Sequence, residues 1–252
     1  MTRYLDRAVS EPGLRLFCFH HVGGGDSLFR GWQQALHPHA TVCPVLLPGR
    51  ERRAAEPCRT DMAELVADLD DQLDEYLTGP HLFFGHSMGA EIAYRLACRR
   101  HRAGRTAPRA LLVSGCAAPG LPLALPLTGG LDDATLIRLL TDLGGMPAQL
   151  LECSPLLAAM LPVIRDDLRL CAGDRDSAGP ALPCPIHIFG GDADPMVDEF
   201  DLAAWRGHTI GHSTVRTFPG GHFYLVESSD ELFGHLRSLL RRYARAEASL
   251  PC

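Results

Sequence analysis

Six short apolar runs punctuate the chain, at 14–20 (LRLFCFH), 40–46 (ATVCPVL), 80–85 (PHLFFG), 109–115 (RALLVSG), 184–190 (CPIHIFG) and 213–218 (STVRTF). Each is rich in Val, Ile, Leu or Phe and is bounded by Gly or Pro, which marks strands. Several show no alternation of apolar and polar positions, as expected for strands buried on both faces of a parallel sheet. Helical patterns fill the gaps between them. Over 61–77, Met62, Leu65, Val66, Leu69, Leu73, Tyr76 and Leu77 fall on one stripe at three- and four-residue steps, with Thr60 or Asp61 placed to cap it. Residues 88–101 and 229–246 read as helices, and 27–37 as a weaker one. Strand–helix alternation of this kind predicts an α/β fold with a mostly parallel, doubly wound sheet.

The rhythm breaks between about 119 and 181. This stretch opens on the proline-rich APGLPLALPL and then carries helical patterns at 132–143, 147–160 and 162–171, with no good strand. A helical insertion within a single domain spanning 1–252 is expected here, placed as a lid over the end of the sheet. Its apolar residues (Leu139, Leu140, Met146, Leu150, Leu157, Met160) suit either an apolar ligand or plain helix packing.

A length of 252 residues allows one large domain. A net charge of −6 argues against nucleic acid as a partner. Nine cysteines are scattered with no C-x-x-C pair, which leaves metal and redox motifs unsupported. The odd count, together with an N-terminus lacking an apolar signal segment, fits the reducing cytoplasm. No run is long enough to span a membrane. Charge is uneven along the chain: 50–53 (RERR) and 95–105 (RLACRRHRAGR) are basic, whereas 61–75 is acidic. Solvated helix faces account for most such runs, and docking of an acidic partner is the sharper alternative.

The chemistry centres on LFFGHSMGAEIAY, 82–94. Ser87 stands between Gly85 and Gly89, after a predicted strand and before a predicted helix. A lone G-x-S-x-G arises by chance in roughly one chain in ten of this length, so the match needs partners elsewhere. Placed on a sharp strand-to-helix turn, Ser87 would expose its hydroxyl above the sheet, and the Met88 N–H at the helix start would face a developing oxyanion. Of twelve histidines, His222 in FPGGHFYL alone follows the last strand and precedes the last helix, where Gly-Gly lets a loop fold back over the sheet edge. It is the candidate general base. An orienting carboxylate is offered by GGDADPMV as Asp192 or Asp194. Pro195 fixes the backbone just after Asp194, which favours it, whereas Asp192 suits a local turn-capping role. Ser87, Asp194 and His222 then follow in the chain order of the α/β-hydrolases. A second oxyanion donor is expected from the glycine-rich loop HHVGGG at 20–25, which lacks the spacing of a phosphate-binding loop.

Together these segments resemble the stand-alone (type II) thioesterases of polyketide and nonribosomal peptide assembly lines, and the related medium-chain acyl thioesterases of fatty-acid synthesis. The resemblance covers about 14–242. It rests on FCFHHVGGGDSLFRGW (17–32), LPGRERR (47–53), GHSMGA (85–90), DLGGMP (142–147), LPVIRDDLRL (161–170), GGDADPMV (190–197) and FPGGHFYL (218–225). It implies an α/β-hydrolase with a helical lid that hydrolyses acyl groups from the phosphopantetheine thiol of an acyl or peptidyl carrier protein, with no further cofactor. It further implies Ser87 as nucleophile, His222 as base, Asp194 as its orienter, and the Met88 and Val22 N–H groups as oxyanion donors. The early loop departs from the usual F-P-H-A-G-G: His20 stands where proline is usual and Val22 where alanine is usual.

The same residues would serve an acyltransferase or cyclase that passes the acyl group from Ser87 to another acceptor, or an esterase acting on free esters. A silent carrier-binding module is a reading of a different class, against which the complete Ser–Asp–His set argues. Arg50, Arg52 and Arg53, or Arg95, Arg99 and Arg100, are candidate contacts for an acidic carrier. Nothing in the sequence suggests more than a monomer.

Overall fold

The computed structural model describes residues 2–6, 13–122, 131–145, 153–173 and 179–245. All six predicted strands are present: β1 (Arg15–Phe19), β2 (Thr41–Val45), β3 (His81–His86), β4 (Leu111–Ser114), β5 (Ile186–Gly191) and β6 (Ser213–Phe218). They form one parallel sheet in the order β2-β1-β3-β4-β5-β6. Pro44, which cannot donate to a ladder, is tolerated because β2 is an edge strand. At the other edge, β6 turns Phe218 inward and leaves most of its other side chains exposed, in keeping with its polar sequence STVRTF.

Both faces of the sheet are covered, which explains the unbroken apolar runs. On one face Phe17, Phe19, Phe83, Val113 and Ile188 pack against α2 (Met62–Leu73) and α3 (Met88–Arg102). On the other, Leu16, Cys18, Phe84, Leu112 and Phe189 pack with α1 (Trp32–Leu36) and with α8 (Ser229–Arg245). Successive strand residues therefore enter alternate cores, as the two-residue strand period requires. Asp61 caps α2 by accepting the Glu64 N–H at 2.9 Å. The predicted 27–37 helix is split by Gly31 into a 3-10 turn, Asp26–Phe29, and α1.

Strand order also creates the crevice that matters for function. From β1 the chain passes to β2 on one side, then crosses back to β3 on the other. The connection leaving β1 leads to α1 on one face, and the connection leaving β3 leads to α3 on the opposite face. The two diverge, and a crevice opens at the carboxyl ends of β1 and β3, the usual ligand position in such sheets. Phe19 at the end of β1 lies in register with Gly85 of β3, so the glycine-rich loop and Ser87 emerge side by side.

Within 119–181, two helices are described, α4 (Asp133–Asp142) and α5 (Ser154–Ala172). The predicted 147–160 and 162–171 helices are one helix where described. It runs through Pro162 because its apolar stripe is held on both sides of that residue. Residues 147–152 lie outside the described residues, as do Met146 and Leu150. Leu136, Leu161 and Ile164 form a small core with Leu140, Leu157 and Met160 that reaches Val22 of the early loop. After β5 come α6 (Glu199–Ala203) and a 3-10 turn, Ala204–His208; after β6 comes α7 (Tyr224–Glu227). Among the described residues no helix is long and apolar enough to cross a membrane.

Candidate active site

Ser87 occupies the turn between β3 and α3 with φ 54° and ψ −121°, a strained conformation for a non-glycine residue. The strain is held by tertiary contacts. The Ser87 N–H donates to the Ser114 carbonyl of β4 at 2.8 Å. The flanking glycines are dictated by close approach: a β-carbon on Gly85 would overlap the Gly89 backbone, and one on Gly89 would overlap the Phe19 carbonyl. Helix and strands meet here with no room for a side chain, and Ser87 is left at the helix start. Met88 is the first residue of α3, and its N–H belongs to the first turn, whose donors have no acceptor within the helix. Both the open donors and the helix dipole favour negative charge at this point.

Asp194 and His222 lie on neighbouring loops, after β5 and β6. His222 Nδ1 donates to Asp194 Oδ2 at 2.8 Å, and the Met196 N–H donates to Asp194 Oδ1 at 2.8 Å. Both side chains are buried. Asp194 thus holds the imidazole with its proton on Nδ1, leaving Nε2 as the acceptor. Asp192 also reaches across, taking the Gly220 N–H on Oδ1 at 3.0 Å. The two carboxylates therefore divide the work: Asp192 fastens the 219–222 loop and Asp194 orients its histidine. A β-carbon on Gly191 would overlap the Gly220 and Gly221 carbonyls, so a glycine at the end of β5 is what admits this loop.

A second tier supports His222. His86 lies against it with ring centroids 5.0 Å apart. His86 Nδ1 is 2.9 Å from Ser114 Oγ, which in turn lies 2.5 Å from the Tyr224 hydroxyl. Burial holds the His86 pKa well below the usual histidine value, and the nearby His222 and His21 add to the effect. A neutral ring therefore lies against His222. Phe223 packs edge-on to both His222 and His21, at centroid distances of 5.3 and 4.8 Å. The Gly144 and Gly145 backbone of the DLGGMP segment lies against that Phe223 ring.

The glycine-rich loop is fastened from an unexpected quarter. Asp167 of α5 accepts the Gly23 N–H at 2.8 Å and pairs with both terminal nitrogens of Arg50 at 2.7 and 2.8 Å. Sequence reasoning read Arg50 as a candidate docking residue and did not single out Asp167. The signal was present: Asp167 falls three residues after Ile164 on the apolar stripe of α5, where a charge requires a buried partner. The other basic residues proposed to meet a carrier are also engaged within the chain. Arg53 pairs with Glu56, Arg52 with Asp26, Arg95 with Glu91, and Arg99 and Arg100 with Asp70. Arg100 is buried with Asp70, which rules it out as a surface contact. A cavity of about 430 Å³ between α2 and α3, floored by Met62, Val66, Tyr94 and Cys98, is lined by none of the three candidate catalytic residues. Among the described residues no cluster of His, Cys, Asp or Glu is arranged to hold a metal ion.

A parallel sheet, a strained serine at the β3–α3 turn and a buried Asp–His pair on the loops after the last two strands define an α/β-hydrolase. The chain belongs to the thioesterase domain family, which matches over residues 14–240. Its similarity to the gramicidin S biosynthesis protein GrsT of Aneurinibacillus migulanus is 35% identity, over 92% of this chain and 91% of that protein. Among solved structures, RedJ, a thioesterase from the prodiginine pathway of Streptomyces coelicolor, superposes with a TM-score of 0.85 at 38% identity, covering 94% of this chain and 98% of RedJ. The type II thioesterase BorB from the borrelidin biosynthetic cluster gives a TM-score of 0.84 at 38% identity, covering 94% and 96% of the two chains.

Proposed function

We propose that this thioesterase hydrolyses acyl groups from the phosphopantetheine thiol of acyl or peptidyl carrier proteins, for editing or release in polyketide or nonribosomal peptide synthesis. The observation that carries the mechanism is the Asp194–His222 hydrogen bond, 2.8 Å, on loops adjoining the strained Ser87 turn. The carrier substrate is supported by solved relatives named for NRPS/PKS pathways.

In this reading the thioester carbonyl oxygen sits between the Met88 and Val22 N–H groups, each worth about 3 kcal/mol in the transition state. Ser87 Oγ attacks the carbonyl carbon as its proton passes to His222 Nε2. The tetrahedral intermediate collapses, the C–S bond breaks, and the leaving sulfur takes that proton. Water, deprotonated by His222, then attacks the acyl-serine and releases the acid and Ser87. The pantetheine arm belongs to the substrate, and the chemistry calls for no resident cofactor. The 119–181 insertion acts as the lid over the acyl chain. A cytoplasmic monomer completes the reading.

Intact-mass spectrometry of carrier proteins loaded with a panel of acyl chains tests it, with wild type compared to Ser87→Ala. Wild type should strip the acyl mass and leave the free thiol, while Ser87→Ala should leave the acyl carrier intact. Turnover of free oxygen esters with carrier-bound acyl groups untouched would overturn it.

A further inference from the structure

Three segments far apart in sequence converge on one carboxylate. Asp167 Oδ2 accepts the Gly23 N–H at 2.8 Å, 144 residues away. The same oxygen and its partner receive Arg50, 117 residues away, at 2.7 and 2.8 Å. Arg50 is 7% exposed and Asp167 is 1% exposed, so this bidentate pair is sealed from solvent. Arg50 also donates to the Gly24 carbonyl at 3.3 Å and, through Nε, to the Pro48 carbonyl at 3.2 Å. The Ile164 side chain, one turn earlier on α5, lies directly over Gly23, and the core of α4 and α5 covers Val22. Residues 22–24 are thus held by the insertion on one side and by Arg50 on the other.

Within the loop, His20 Nδ1 and the Gly24 N–H donate to the His21 carbonyl at 2.9 and 3.0 Å, and His21 Nδ1 donates to the Val22 carbonyl at 2.8 Å. Gly23–Gly25 have no side chains of their own, so the Gly23 amide next to the Val22 peptide is anchored from outside the loop, by Asp167. We infer that Asp167 is a positioning residue: it fastens α5 to the glycine-rich loop, so that the second oxyanion donor is in place only while the insertion is docked. The inference rests on the proposed role of Val22. It makes α5 part of the catalytic geometry as well as part of the cover over the substrate, and it assigns Arg50 to holding Asp167 rather than to meeting a carrier. Asp167 touches no reacting atom. Its effect passes through the Gly23 amide next to the donor.

Asp167→Asn and Asp167→Glu separate this role from a merely structural ion pair. Asn retains a carbonyl oxygen for the Gly23 N–H but loses the charge that Arg50 needs. Glu keeps the charge but shifts the carboxylate by a methylene. The positioning role predicts that Asp167→Glu lowers kcat on a small acyl thioester by about 10- to 100-fold. KM should stay within about threefold, the mark of a contact made in the transition state. Affinity for a boronic acid that forms a tetrahedral adduct on Ser87 should fall by a similar factor. Asp167→Asn should keep kcat within about fivefold of wild type even as its Tm falls. A structural ion pair predicts the reverse order, with Glu the better replacement, and that result overturns the inference. So does a loss of kcat with unchanged boronic-acid affinity. If Ser87→Ala retains turnover, the acyl-enzyme reading fails and this inference with it. If Ser87→Ala is dead while Asp167→Glu keeps kcat within twofold, the positioning role alone fails.

Discussion

Asp194→Asn should be nearly inactive while remaining folded, and the hydrogen bonds around it say why. In the wild type Oδ1 accepts from the Met196 N–H and Oδ2 accepts from His222 Nδ1, both at 2.8 Å. An asparagine has one oxygen to offer. The Met196 N–H can only donate, so the amide oxygen must face it, and the amide NH2 is left pointing at His222. Imidazole Nδ1 must then accept, which moves the ring proton to Nε2, the nitrogen needed to receive the Ser87 proton. The base is present in the wrong tautomer. The expected cost is about 10⁴-fold in kcat, some 5 kcal/mol of transition-state stabilisation. Shape and both hydrogen bonds survive, so Tm should move by only a few degrees. Steady-state hydrolysis of a small acyl thioester, followed by thiol release, measures the first effect; a thermal melt measures the second. Reaction with a serine-directed fluorophosphonate should slow in step with kcat. A fall of less than tenfold would show that His222 does not depend on Asp194 for its tautomer, and the proposed triad would have to be abandoned.

Two other buried histidines make the fold acid-sensitive. Burial lowers His81 and His187 to about 4 from an ordinary value of 6.5. The unfolded chain therefore binds more protons below pH 6.5, and stability is complete above that value and lost as pH falls toward 4. At pH 5 each ring should cost about 2 kcal/mol, read from urea unfolding at pH 7.5 and 5; His187→Gln should make the fall smaller by about that amount, and an unchanged fall would refute the assignment. Gly89→Ala, which drives a β-carbon into the Phe19 carbonyl, should cost at least about 3 kcal/mol in denaturant unfolding, since neither backbone can yield; a change under 1 kcal/mol would contradict the close packing at the serine turn. Arg100→Ala strands the buried Asp70 with only its more exposed partners Arg99 and Arg105; unfolding free energy should drop by about 3 kcal/mol with kcat unchanged.

Much of this protein is written in short-range pattern. The six strands follow from apolar runs bounded by Gly and Pro, and the Asp61 cap of α2 from its position before a helical stripe. The strained Ser87 turn follows from Gly85 and Gly89, because only glycine lets strand and helix backbones meet there. Asp194 stood out from Asp192 through the proline after it. These features are local: each depends on residues within a few positions, where steric and hydrogen-bonding rules act directly on the chain. What the tertiary structure alone decided is which distant groups meet. Arg50 looked like a surface cation until Asp167, on a helix 117 residues later, was found to take both its terminal nitrogens. Asp192 looked like a local cap and instead holds Gly220 on the neighbouring loop after β6. The patterns at 147–160 and 162–171 read as two helices, yet α5 runs on through Pro162, since packing on both sides of it outweighs one missing hydrogen bond. A buried charge reveals through its sequence position that it must have a partner, because an unpaired one is too costly, but which partner it finds depends on how the layers stack.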